Sequence, residues 1–400
     1  MEYLVTAFLS SLLFALALIA SFGRHRHLSA DHTSGGPQKY HVRPVPRIGG
    51  LSLFFGVLTA AVVAYGLADP SAVLLLWLLL ASLPAFGSGL IEDLTKAVTP
   101  RVRLACAAVA ASLGIWLLDA RLTHTGLPWL DVLFTFAPLS IAITLLAVAG
   151  VANAINIIDG VNGLASICAL TMLAATAYVA FQVGDTSIMF AALVVCAALL
   201  GFVFWNYPHG LIFLGDGGAY FLGFVLAELN LLLVMRNPEV SPMFALLLCI
   251  YPVFETLFTI ARRLLRVGRR GVTLRSAFMP DSLHLHSLIH RRLVRTSLQV
   301  AGERRSNMRN AMTAPYLWVL CLLSVLPCVM WWNDTVLLFQ FALAFVVLYL
   351  LLYRTIVRFQ APLWLSLRRV PQDHGVGLMA ESHSQDLSLE LRVLRTKTNP

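Results

Sequence analysis

Residues 142–175 read AITLLAVAGVANAINIIDGVNGLASICALTMLAA. Two apolar runs, near 130–151 and 164–182, flank a short segment that carries Asn153, Asn156, Asp159 and Asn162 at three-residue intervals. Each run approaches the roughly 20 apolar residues that cross a bilayer core. Side chains three apart share one flank of a helix or helix entrance. The stretch therefore reads as span, polar turn, span, and it sets the fold class: an all-α, polytopic integral membrane protein.

Working outward, about eleven such runs occur, near 3–22, 50–67, 72–91, 104–119, 130–151, 164–182, 187–205, 219–235, 241–261, 315–332 and 335–353. The chain of 400 residues is 58% hydrophobic and 12% charged, with a mean hydropathy of +0.79. Soluble domains run near about a quarter charged, so lipid is the expected solvent. With about eleven spans the two ends lie on opposite sides. Placing the N-terminus outside makes 23–49, 92–103, 152–163, 206–218, 262–314 and 354–400 cytoplasmic. Those segments hold 27 of the 29 Lys and Arg, all but Arg121 and Arg236, as the positive-inside rule requires. The +9 net charge then reports orientation and contact with anionic headgroups, and no nucleic-acid partner is expected. The first run lacks a basic leader and is followed by Arg24 and Arg26, so it reads as a retained span. All six cysteines lie in apolar runs and read as small core residues. Residues 1–358 read as the membrane domain and 359–400 as a cytoplasmic tail, either a short surface helix or disordered.

The polar chemistry is one-sided. Predicted outer loops such as LADPS, VGDTS and RNPEV are short and plain. Five cytoplasmic segments gather the acids, amides, histidines and glycines: HVRPVPRIGG (41–50), GLIEDLTKAVTPRVRL (89–104), NAINIIDGVNGLA (153–165), NYPHGLIFLGDGGAYFLG (206–223) and PDSLHLHSLIH (280–290). Ionisable groups at the membrane boundary are costly and usually face a polar cavity. Each segment taken alone has two readings. Glu92 and Asp93 either bind a cation or a proton, with Lys96 and Arg101 near enough for phosphate, or close a helix as a solvated pair. Asp216 lies among three glycines that let backbone approach a ligand; it either ligates a hard cation such as Mg2+ or sits in a tight turn. Asn153 or Asn156, with Asp159, either supply oxygen ligands or cap a helix end. His284, His286 and His290, beside Arg291 and Arg292, suit an anionic diphosphate or a plain basic loop; a zinc site lacks any HExxH context. Arg43 and Arg47 flank prolines that stiffen the loop. Gly49 and Gly50 then let the next span begin close to something, unless the segment is only a positive anchor. There is no P-loop and no GxGxxG.

Taken in order, the five segments resemble the polyprenyl-phosphate N-acetylhexosamine-1-phosphate transferase superfamily. Its members include the phospho-MurNAc-pentapeptide transferase of peptidoglycan synthesis and the undecaprenyl-phosphate GlcNAc-1-phosphate transferases that initiate O-antigen and other envelope glycans. The likeness covers about residues 40–290. It implies transfer of a sugar 1-phosphate from a UDP-N-acetylaminosugar to undecaprenyl phosphate, with release of UMP. It further implies Mg2+ as cofactor, with Mn2+ a substitute, a bacterial inner-membrane location with the site facing the cytoplasm, and membrane lipid and a second copy of the chain as partners. Carried over by position, it implies Mg2+ ligands at Asn156 and Asp216. The catalytic acids would be Glu92, Asp93 and Asp159, with Asp93 acting on the polyprenyl phosphate. Substrate contacts would come from Arg43, Asn162, Asn206, Phe213, His284 and His286, with Phe213 stacked on uracil.

Three positions depart from the family pattern. Glu92 stands where an Asp–Asp pair is usual, Asn162 takes the second acid of DGxDGLA, and Ser287 interrupts the run of histidines; they favour a non-catalytic relative only as a third alternative, since the eukaryotic dolichyl-phosphate relative also tolerates Asn at that second position. PVPRIGG and TPRVRL look more like the O-antigen and exopolysaccharide initiators than the peptidoglycan enzyme. The implied reaction brings two anions together, so positioning and charge neutralisation carry most of the catalysis. A transporter would instead place polar groups at mid-bilayer between related halves. Here only Glu228 and Glu255 interrupt the span interiors, and no duplication is visible.

Overall fold

A computed structural model describes residues 1–31, 44–265, 283–294 and 310–358. The 359–400 tail and Arg43 lie outside the described residues. In chain order the elements are α1 (Glu2–Ala20), α2 (Phe22–Ser29), β1 (Ala30–Asp31), β2 (Val45–Pro46), α3 (Gly49–Gly66), α4 (Ser71–Thr95), α5 (Pro100–Leu118), α6 (Pro128–Phe134), α7 (Ala137–Ile158), α8 (Leu164–Gln182), α9 (Thr186–Asn206), α10 (Gly215–Arg236), α11 (Pro242–Leu248), α12 (Ile250–Leu264), α13 (Leu285–Ile289), α14 (Ala314–Met330) and α15 (Thr335–Val357). The two-residue strands pair antiparallel, Ala30 with Pro46 and Asp31 with Val45, and deliver the chain to α3.

The chain is a helical multi-pass membrane protein. Among the described residues nine helices are long and apolar enough to cross a membrane, ten when α11 and α12 count as one broken span. Helix α14 is shorter, at 17 residues. Two elements differ from the sequence reading. The run at 130–151 becomes α7, which starts later, with Pro138 in its first turn where a missing N–H leaves no bond unmade. It also runs on through Asn153 and Asn156, because Tyr220 Oη donates to Asn153 Oδ1 at 3.0 Å and so satisfies a polar group that would otherwise end the span. The run at 241–261 is bent by 67° between α11 and α12. Pro252 has no N–H to offer the carbonyl of Leu248, one turn back, so the ladder breaks there.

Helix α10 is the axis of the bundle. Some 83% of its span is buried, against 17% for α1 and 22% for α15. It packs on α3, α4, α5, α7 and α8, and small residues let the backbones close up, as where Gly223 lies on the Ala152 backbone. Large apolar side chains such as Trp116, Leu146 and Phe204 point outward, where lipid is the solvent. The up-and-down course brings the starts of α3, α5 and α10 and the ends of α4, α7 and α9 to one end of the bundle.

Candidate active site

The site is built on the first turn of α10. A helix start leaves N–H groups without intrahelical partners and carries the positive end of the dipole. Asp93, in the last turn of α4 and 1% exposed, supplies the partners: its Oδ1 accepts from Asp216 N at 3.0 Å and its Oδ2 from Gly217 N at 2.9 Å. The backbone can approach this closely because glycines meet. Gly49 N and Gly50 N donate to the carbonyls of Phe213 (2.9 Å) and Leu214 (2.8 Å). Gly89 faces Gly217 across the α4–α10 crossing. The partner expected for the Gly49–Gly50 pair is thus the start of α10.

Asp216 is held from two sides. Arg47 Nη2 donates to its Oδ1 at 3.0 Å, Arg103 pairs with its Oδ2, and Arg47 Nε lies 3.8 Å from Asp93. The Arg103 guanidinium also sits 5.8 Å from the centre of the Tyr220 ring. Asp159 ends α7 beside the same charges. Protein crowding around its carboxyl pushes it up to about 7, with Arg47 pulling the other way. Three acids and two arginines therefore meet at one end of the bundle. Arg103 was not singled out in the sequence, although an arginine one turn inside an apolar helix is the kind of residue that needs a partner. Arg101, its neighbour, is exposed.

Other expected site residues are placed as follows. Glu92 is turned away from Asp93, because adjacent helical residues point about 100° apart. Its Oε2 accepts from Val98 N at 2.7 Å, closing the loop to α5. Asn206 links two loops: its Oδ1 accepts from Gly163 N and its Nδ2 donates to Ile212 O, both at 2.8 Å. Asn162 donates to Pro208 O at 3.2 Å and accepts from Asn310 Nδ2 at 3.1 Å. These two amides shape the turn at 159–163 and tie it to the segment after α9. Phe213 is half-buried at the rim.

His286, in α13, reaches this turn: its Nε2 lies against Gly160, and the residue is 1% exposed. The His284 ring lies parallel to it, 5.4 Å away. Burial pushes His286 down to about 3, His284, His290 and Arg291 push the same way, and Glu255 opposes. The folded state therefore holds a neutral ring at neutral pH. Stability from that neutral ring is complete above the usual 6.5 and is lost as pH falls below it, by up to about 1.4 kcal/mol per unit. The melting temperature of wild type is expected to fall from pH 7.5 to pH 5 more steeply than that of His286→Gln. Equal slopes would count against a neutral buried ring.

Among the described residues, no three or more His, Cys, Asp or Glu side chains gather to hold a metal unaided. The oxygen donors that converge suit instead a hard cation that takes one or two carboxylates, water and substrate phosphate. Asn153 meets Tyr220 across the antiparallel α7–α10 contact. One turn nearer the site on each helix stand Asn156 and Asp216. The half-buried Asn156 amide has no hydrogen-bond partner among the described residues. That donor set fits Mg2+, with Arg47 and Arg103 as the cations that now balance Asp216.

The fold and site define a polytopic membrane protein whose acids and arginines cluster at one end of the bundle. Comparison with known proteins narrows the class. Residues 75–234, which include Asp93, Asp159 and Asp216, match Glycosyl transferase family 4. The chain is 31% identical to a decaprenyl-phosphate N-acetylglucosaminephosphotransferase of Mycobacterium leprae, over 64% of this chain and 70% of that one. It is 26% identical to a probable undecaprenyl-phosphate N-acetylglucosaminyl 1-phosphate transferase of Bacillus subtilis, over 71% and 76%. An undecaprenyl-phosphate alpha-N-acetylglucosaminyl 1-phosphate transferase of Thermotoga maritima is also 26% identical, over 64% and 72%. The chain belongs to glycosyl transferase family 4.

Proposed function

We propose that this protein transfers an N-acetylhexosamine 1-phosphate, N-acetylglucosamine 1-phosphate first among the candidates, from a UDP-sugar to a polyprenyl phosphate and releases UMP. One observation carries the reading: Asp93, Asp159, Asp216, Arg47 and Arg103 converge on the start of a buried central helix. An oxygen of the lipid phosphate forms a bond to the sugar-bearing phosphorus, and the bond from that phosphorus to the UMP oxygen breaks. A phosphate monoester has its second pKa near about 6 and is largely dianionic at neutral pH, so the acceptor needs little help from a base. Asp93 has both oxygens engaged by backbone N–H groups. This supports a positioning role there and direct attack over a covalent aspartyl intermediate.

Asp216 and Asn156 would hold Mg2+, which would supply charge neutralisation for the diphosphate and for UMP as it leaves. Arg47 and Arg103 sit where they can exchange Asp216 for substrate phosphate oxygens, and the half-buried Phe213 offers a ring to uracil. The Lys and Arg asymmetry supports a site on the cytoplasmic side of the bacterial inner membrane. The purified protein, given undecaprenyl phosphate and a panel of radiolabelled UDP-aminosugars, should yield labelled lipid and equimolar UMP only when Mg2+ is present. Label from UDP-MurNAc-pentapeptide alone would move the protein to the peptidoglycan branch. Absence of labelled lipid from every donor would sink the proposal.

A further inference from the structure

The transferase reading leaves a buried acid–tyrosine pair behind His284 unused. Glu255, in α12, is 1% exposed and Tyr349, in α15, is fully buried. Tyr349 Oη donates to Glu255 Oε2 at 2.5 Å. On the other oxygen, Oε1 accepts from Leu285 N at 3.1 Å and faces His284 Nδ1 at 3.1 Å. Thr259 Oγ1 lies 3.3 Å from the same nitrogen. The Tyr349 ring is itself fixed edge-on between Phe254 and Phe258. Burying a carboxylate is costly unless its lone pairs are met, and three donors meet them here. Neither Glu255 nor Tyr349 lies within the family match at 75–234 or in any of the five segments.

The direction of the chain of contacts is informative. Tyr349 holds Glu255, Glu255 holds Nδ1 of His284, and the His284 ring lies parallel to His286, which touches the Asp159–Gly160 turn. A carboxylate behind one imidazole nitrogen orients the ring, favours its doubly protonated form and presents the other N–H forward. We propose that Glu255 and Tyr349 are positioning residues, which hold His284 as an imidazolium, with Nδ1–H on Glu255 and Nε2–H presented to a phosphate oxygen of the UDP-sugar. The last span among the described residues then helps to position the substrate site. This inference rests on the transferase reading and deepens it.

A double-mutant cycle tests it, with steady-state rates measured for UDP-GlcNAc and undecaprenyl phosphate on the purified full chain. Glu255→Gln keeps the shape and removes the charge. It should lower kcat/KM for the UDP-sugar about 10- to 100-fold, as loss of a charge-assisted bond does. The loss should fall in KM for the UDP-sugar, with KM for the lipid phosphate within about twofold. Tyr349→Phe should give a smaller change of the same kind. In a His284→Ala background both substitutions should cost less than about twofold more, because the residue they serve is gone. Costs that multiply undiminished in that background, or a rise in both KM values with a lowered melting temperature, overturn the proposal. If Glu255→Gln does not fold, the Tyr349→Phe cycle decides alone, since phenylalanine keeps the ring contacts. A wild-type protein that transfers while the cycle is additive overturns this inference only. One that neither binds nor transfers UDP-aminosugars overturns the transferase reading with it.

Discussion

Replacing Asp216 with asparagine is expected to lower transfer by about a thousandfold or more, the scale on which a preorganised charge at a reacting centre acts. The side chain keeps its size and its place in the first turn of α10, so the helix start capped by Asp93 stays in place. What changes is charge. Arg47 and Arg103 both lose the carboxylate they pair with, and a hard cation loses its one charged ligand at this position. The first loss predicts a lower melting temperature, because Arg103 is 9% exposed and a buried cation without a partner is costly. The second predicts that residual activity needs far more Mg2+ for half-saturation. Neutralising Arg103 as well, in Asp216→Asn with Arg103→Gln, should restore much of the melting temperature and none of the activity. Wild-type activity at wild-type Mg2+ concentrations in Asp216→Asn would refute the metal assignment.

How far the sequence carried this site depends on which interactions are local. A span is recognisable because about 20 apolar residues are a property of one segment, and the family likeness lay in motifs of five short segments. The Asp93 contact is of another kind. Its partners, Asp216 N and Gly217 N, lie more than a hundred residues away, and no pattern near Asp93 announces that it caps a distant helix. Read alone, Glu92–Asp93 looked like one acidic pair; helical geometry divides it, sending Glu92 to Val98 and Asp93 into the core. The extra methylene that marks Glu92 as a departure is what lets it reach along the loop. Asn162 and Asn206, expected at the substrate from the family likeness, also join loops through their amides, and all of those partners but Ile212 lie far along the chain. Glu255 was visible only as an exception inside an apolar run, since His284 and Tyr349 come to it from other elements.

The strongest constraint on the site is steric, and it gives the second large effect. An added methyl at Gly89 would stand 2.5 Å from Gly217 N and 2.6 Å from both the carbonyl carbon and oxygen of Asp216. All three atoms are backbone, so none can swing aside, and relief requires α4 and α10 to separate. Overpacking of this kind costs about 1–3 kcal/mol in a well-packed core. Its catalytic cost is larger, because a displacement of about 1 Å in a positioned group can remove about a hundredfold in rate. Here one displacement moves Asp93, Asp216 and the α10 start together. Gly89→Ala is therefore expected to lose at least about a hundredfold in kcat/KM. Gly87 on the same helix has nothing within 4 Å of an added methyl. Gly87→Ala should keep activity within about twofold and gain a little stability, since alanine favours helix over glycine by about 1 kcal/mol. Two near-identical substitutions two residues apart then separate helix propensity from backbone contact. Equal activity in both variants would mean that α4 and α10 do not cross at Gly89, and that the acids they carry are not held in one cluster.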